Sequence, residues 1–182
     1  MQVVSEKEAE KYLGRKVCFK DGQETELENR IAAAWAAFHK HKGELCSKYY
    51  KIVDRIRLFR AVVTATVLYG CSAWALTTRM CDTLKIARPK MLRYVFRLHR
   101  RKCEGNAEDW VDYMRRSAEQ VVELSEKCEM NDWIKQYRKR KWAFAGATAR
   151  RTDSKWSKKV LDWKPHDGQA KAGPKRDGLT TS

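Results

Sequence analysis

Carboxylates, thiols and imidazoles are the groups that hold metals or move protons, and this chain spaces them in ways that suit neither task. Its acidic clusters are Glu24/Glu26/Glu28 and Glu108/Asp109/Asp112. Polynucleotide synthesis by two metal ions needs closely placed carboxylates, commonly an Asp-Asp pair with a third Asp, and the chain contains no Asp-Asp. Both clusters fall where helices are expected to start, and there they favour the positive end of the helix dipole. The cysteines at 18, 46, 71, 81, 103 and 128 are separated by 28, 25, 10, 22 and 25 residues, which is no zinc-ligand spacing. His39 and His41 are two apart and face different ways on a helix; His99 and Cys103 are four apart but lack a second pair. Phosphate-cradling glycine loops and a Gly-x-Ser-x-Gly elbow are absent too. The residues therefore predict no metal, no cofactor and no catalytic group.

What remains is electrostatic chemistry. The 182 residues carry 39 Lys/Arg against 23 Asp/Glu, a net charge of +16. Residues 85–102 hold eight Lys/Arg and no acid, and residues 135–164 hold eleven against Asp153 and Asp162, so the rest of the chain sums to −1. Both blocks interleave aromatics: Tyr94, Phe96, Trp142, Phe144, Trp156 and Trp163. Two concentrated basic blocks are the footprint of a polyanion binder, with nucleic acid the first candidate. The competing reading is a pair of solvated helix faces with the aromatics packed inward.

With 43% hydrophobic and 34% charged residues the chain can bury a core, which excludes wholesale disorder, and collagen-like, mucin-like and disulfide-scaffold classes. Scattered cysteines and no apolar leader after Met1 predict a reducing, intracellular setting, nuclear or cytoplasmic. The longest uncharged run, 61–78, with its apolar part ending at Leu76, is shorter than the ~20 residues of a membrane span, so no membrane partner is expected.

The elements that must position the basic residues follow from periodicity. Residues 12–19 alternate, and Asp21-Gly22 is a turn signal, so a short hairpin is expected near 11–23. Thr25 and Glu28 form a capping box for a helix over about 25–42, with Leu27, Ile31, Ala34, Phe38 and Leu45 inward. A second helix opens at Ser47 and turns Ile52, Ile56, Phe59, Val63 and Val67 to the core; its latter half is apolar nearly all round and so should be central. Thr78 caps a third, with Leu84, Met91, Val95 and Leu98 inward and its Lys/Arg outward; Pro89 should kink or split it. A fourth helix has Glu108 and Asp109 in its first turn and Val111, Met114, Ala118, Val121, Ser125 and Cys128 as its inner stripe. Asn131 caps a fifth to about Arg150, a short sixth spans Trp156 to Trp163, and a disordered tail follows.

The order of these features resembles the C-terminal part of the reverse transcriptase of non-LTR (LINE-type) retrotransposons. Carrying the resemblance are Lys11-Tyr12-Leu13-Gly14, the Asp21-Gly22 turn, Ile31/Ala33/Ala34/Trp35/Phe38, Arg57-Leu58-Phe59, Val67-Leu68-Tyr69-Gly70 with Trp74 and Leu76-Thr77, and Met91-Leu92-Arg93. It continues through Glu108-Asp109-Trp110, Tyr113, Arg116, Trp133, Lys141-Trp142, Ala145-Gly146, Ala149-Arg150, Lys155-Trp156-Ser157 and Trp163-Lys164-Pro165, over roughly residues 8–165. No single piece is diagnostic; the specificity lies in order and spacing. The resemblance implies a mainly α fold: a palm remnant with a primer-grip hairpin over 1–23, a three-helix thumb-like bundle over 24–104, a basic Trp-rich helical connector over 105–164, and a disordered tail over 165–182.

Tyr12, Leu13 and Gly14 would then form the primer-grip turn. Lys85, Arg93, Arg97, Arg100 and Arg101 would contact template-primer phosphates from the thumb, and Lys135, Arg138, Lys139, Lys141, Arg150 and Arg151 from the connector, without reading bases. The family's palm motif and its Mg²⁺ would lie outside this chain, which would be inert alone and would partner the palm and fingers of its parent element. The missing Asp-Asp, Pro89 inside a thumb helix and the Ala172-Gly173-Pro174 tail depart from the family pattern, as a degraded or truncated copy would. Two rivals stand beside this reading. One is an independent helix-turn-helix-like DNA-binding protein over 106–165 with Trp110, Trp133, Trp142 and Trp156 in its core; the other is a translated relic without selected activity.

Overall fold

The computed structural model describes residues 10–12, 14–17, 22–101, 107–153 and 155–163, and they are mainly helical. Strands β1 (Glu10–Tyr12) and β2 (Arg15–Val17) pair antiparallel, Tyr12 opposite Arg15. Between them Gly14 has φ +76°, a left-handed conformation open to glycine at little cost. Leu13, residues 18–21, the Gly105-Asn106 break and the expected tail over 165–182 lie outside the described residues.

Helix α1 (Gly22–Lys40) starts three residues before the expected cap, so Thr25 and Glu28 sit inside the helix and not at its mouth. It buries Leu27, Ala34 and Phe38, and with them Glu26 and Arg30. A single turn, α2 (Lys42–Leu45), buries Leu45. Helix α3 (Ile52–Phe59) begins after Lys51, not at Ser47, and runs through a π-helical segment (Arg60–Thr64) into α4 (Ala65–Val67). This rod packs on α1 and buries Ile56, Phe59, Val63 and Val67, while Ala61, Ala65 and Tyr69 remain exposed. The latter half, expected to be central, is thus exposed along one side, where small alanines face outward.

After a 3-10 turn (Cys71–Ala73), Thr77, and not Thr78, caps α5 (Thr78–Val95): its hydroxyl accepts from the Met80 N–H at 3.2 Å. Helix α5 is continuous through Pro89, which removes one N–H donor without ending the helix. Leu84, Met91 and Val95 face the core as expected. Helix α6 (Trp110–Lys127) packs on α5 and is capped by Asp109, whose carboxylate accepts from the Val111 N–H at 2.8 Å. Its buried stripe is Ser117, Val121 and Ser125; Val111 and Ala118, expected inside, are exposed. Val121 and Ser125 are inside as expected, and Ser117 is a buried member of the stripe that hydrophobicity alone does not mark.

Helix α7 (Trp133–Ala149) begins beyond Asp132, whose carboxylate accepts from the Ile134 N–H at 3.1 Å; Asn131 is not the cap. Helix α8 is Trp156–Asp162. The chain divides into two compact units between Lys141 and Trp142, inside α7. In the first, Trp133 and Tyr137 join the core of α1, α3 and α5. Tyr137 stacks on Trp74 at 6.4 Å, and its hydroxyl donates to the Trp74 carbonyl at 2.9 Å. In the second, the Lys158 ammonium donates to the Ala149 carbonyl at 3.1 Å and pairs with Asp162 at 3.2 Å. No helix among the described residues is long and apolar enough to cross a membrane.

Candidate nucleic-acid interface

Helix α5 carries half of the first basic block and the segment after it the other half, and the residues divide by what the fold does with them. Arg88 is buried and reaches the Met130 carbonyl at 3.4 Å, and burial pushes its guanidinium pKa down. Arg93 is half-buried and donates to the Ser117 hydroxyl at 3.0 Å, joining α5 to α6. Arg100 donates to the Glu108 carbonyl, so it closes the approach to α6. These arginines hold the fold together, which the outward-facing pattern expected for α5 does not foresee. Lys85, Lys90, Arg97 and Arg101 are exposed. Lys85 pairs with Asp82 at 2.9 Å, and that contact raises its ammonium pKa.

Arg97 lies in the left-handed region at φ +59°. The Leu98 N–H donates to the Arg93 carbonyl at 2.8 Å and the Arg97 N–H to the Tyr94 carbonyl at 3.0 Å, which is the helix-ending motif that usually places glycine there. With no glycine at 97, sequence reasoning misses this stop. The turn gathers cations from elsewhere in the chain: the charges of Lys42, Arg55 and Arg97 all act on the Cys46 thiol, whose pKa is nevertheless raised by burial. Lys42 is exposed beside this turn, whereas Arg55 is half-buried and donates to the Val95 carbonyl at 2.5 Å; no charge run in the sequence marks either.

Two grooves share Lys90 and Tyr94. One, of about 290 Å³, lies between α1 and α5 and is lined also by Trp35, His39 and Lys42. The other, of about 680 Å³, runs between α5 and α6 with Ile86, Pro89, Trp110 and Tyr113 in its walls. Among the described residues no carboxylate lines either groove.

In the acidic cluster at the start of α6, Glu108 is matched by a cation. Glu108 accepts from the Arg116 guanidinium at 2.7 and 2.8 Å and from the Arg101 N–H at 2.9 Å, which lowers its carboxyl pKa from 4.5 to about 2. Asp109 caps α6. These carboxylates do not fit Mg²⁺, and no cluster of His, Cys, Asp or Glu among the described residues would hold a metal ion.

In α7 the fold likewise splits the second block. Lys141 donates to the Trp74 carbonyl at 2.6 Å and Arg140 to the Leu68 carbonyl at 3.2 Å, while Lys135, Arg138 and Lys139 are exposed. In the second unit Arg150 and Arg151 are exposed, and Arg151 donates to the Ser157 hydroxyl at 3.2 Å. Trp133 is 1% exposed, but Trp110, Trp142 and Trp156 are 57%, 75% and 79% exposed, so these four do not form the shared core of a helix-turn-helix-like module.

Of the residues expected to form a primer grip, Gly14 is in the turn and Tyr12 ends β1. Arg30 donates to the Gly14 carbonyl and to Glu26 at 2.6 Å, and its guanidinium lies 4.6 Å over the Tyr69 ring. Glu26, expected to serve a helix start, is instead a buried anchor for this turn.

No family model matches the chain, and no solved structure matches it. A protein of Caenorhabditis elegans described as transposon-derived and uncharacterized is 26% identical over 157 residues, which cover 85% of this chain and 51% of that protein. The chain thus spans about half the length of the relative it matches, and the similarity points to a transposon-related origin.

Proposed function

We propose that this chain is a nucleic-acid-binding part of a LINE-type retrotransposon RNA-directed DNA polymerase, holding template-primer without catalysing synthesis itself. The observation that carries the reading is the exposed cations Lys85, Lys90, Arg97 and Arg101 on α5 and the turn that follows it, with Asp82 the carboxylate paired among them, in a chain similar to a transposon-derived protein. Lys85, Lys90, Arg97 and Arg101 neutralise backbone phosphates and release counterions, an interaction that reads polymer shape and charge and not sequence. Lys135, Arg138 and Lys139 on α7 offer further phosphate contacts in the first unit, and the second unit, taken by itself, offers Arg150 and Arg151. Gly14, held by Arg30, supplies the turn that approaches the primer strand. Polymerisation and its Mg²⁺ belong to a palm and fingers supplied by the parent element, in a nuclear or cytoplasmic setting.

The test is binding of a primed RNA template across a salt series. If roughly six to ten phosphates are neutralised, affinity falls by about 10³ to 10⁵ between 50 and 200 mM salt, with non-specific affinity in the micromolar range or weaker at physiological salt. Replacing Lys85, Lys90, Arg97 and Arg101 by Gln should reduce the salt slope by about 0.9 for each phosphate left un-neutralised. An unchanged slope would make α5 a solvated face and sink the reading. The chain alone should extend no primer with Mg²⁺, and fusion to a palm and fingers region should restore extension.

A further inference from the structure

The groove between α5 and α6 presents apolar surface that phosphate binding leaves unused. Trp110, the first residue of α6, is 57% exposed, and Ile86 faces it from α5 at 70% exposed. Trp110 stands on a fixed support: its ring lies 5.6 Å from that of Tyr113, and the Tyr113 hydroxyl donates to the Leu98 carbonyl at 3.0 Å. Arg116 sits 5.8 Å over the Tyr113 ring and binds Glu108, and Asp82 is matched by Lys85 at 2.9 Å. Lys85, Lys90, Arg93 and His99 line the same groove.

We propose that this groove binds an unpaired stretch of a nucleic-acid strand, with a base stacked on Trp110 and the flanking phosphates at Lys85 and Lys90. The inference rests on the nucleic-acid reading above and specifies which form of the polymer this site takes. A single strand offers apolar base faces and an anionic backbone together, which is the combination the walls and rim present. A duplex keeps its base faces inside the stack and can satisfy only the rim. A second copy of this chain, itself at +16, is repelled by the same cations.

The experiment measures anisotropy of a labelled oligo-dT and of a duplex of equal length with the full chain. Trp110→Ala should weaken oligo-dT binding roughly tenfold, Trp110→Phe should retain most of it, and Ile86→Asn should cause a smaller loss. Duplex binding should change less than about twofold in all of them, because every phosphate-binding cation is kept. Both altered positions are exposed, and unchanged thermal unfolding verifies that the fold is intact. Oligo-dT affinity that survives Trp110→Ala, or duplex affinity that falls in parallel with it, overturns the proposal while leaving general nucleic-acid binding standing. A wild-type chain that binds neither polymer overturns both.

Discussion

The indole N–H of Trp133 donates a 3.0 Å hydrogen bond to the Thr64 hydroxyl, linking the start of α7 to the π-helical segment 69 residues earlier, with both residues buried. Phe59 stacks on the same indole at 6.4 Å with 3° between the planes. Trp133→Ala should therefore cost about 3–5 kcal/mol. Trp133→Phe, which keeps most of the stack and loses the donor, should cost about 1–3 kcal/mol. Urea unfolding checks both; a loss below about 0.5 kcal/mol for the alanine variant would mean that α7 does not share this core.

Glu26 is fully buried with Arg30 at 2.6 Å and Arg15 at 3.9 Å. Glu26→Gln leaves the buried Arg30 without its counter-charge and should cost about 3 kcal/mol, whereas the double change Glu26→Leu/Arg30→Met should cost less than the sum of the single changes. Thermal unfolding of the complete cycle measures the coupling. Strict additivity would refute the pairing as an energetic unit.

Arg97 and Glu129 both occupy left-handed positions that end helices, at φ +59° and +49°. Glycine at either site removes backbone strain, and after its larger unfolded-state entropy the net gain should be about 0.5–1 kcal/mol. Arg97→Gly should raise the melting temperature and weaken nucleic-acid binding, while Glu129→Gly raises it with no loss of binding. Equal binding by the two variants would remove Arg97 from the interface.

The Glu108 carboxyl is held at about 2, first by the Arg116 hydrogen bond and next by the Arg101 N–H. A pKa depressed by folding contributes stability that is complete above its ordinary value near 4.5 and is lost as pH falls toward about 2. Glu108→Gln should leave the pH dependence of melting unchanged above pH 5 and flatten it below 4.5. An NMR titration that places the wild-type carboxyl near 4.5 would contradict this pairing.

Periodicity was sufficient to read the helices and much of their inner faces, because Ile56, Phe59, Val63 and Val67, or Leu84, Met91 and Val95, recur at a spacing that only a helix turns to one side. The basic blocks were legible for an equally local reason, since their charges are contiguous along the chain. Tertiary structure decided which members of those blocks are available: Arg88, Arg93, Arg100 and Lys141 have partners 42, 24, 8 and 67 residues away, and no local pattern specifies them. It also decided that Trp133 is buried while Trp110 is exposed, and that Glu26 neutralises Arg30 inside the fold. Side-chain type and spacing set a helix and its apolar stripe, but burial of a charge or an indole depends on a complementary group brought up by a distant element, and that is settled only when the elements pack.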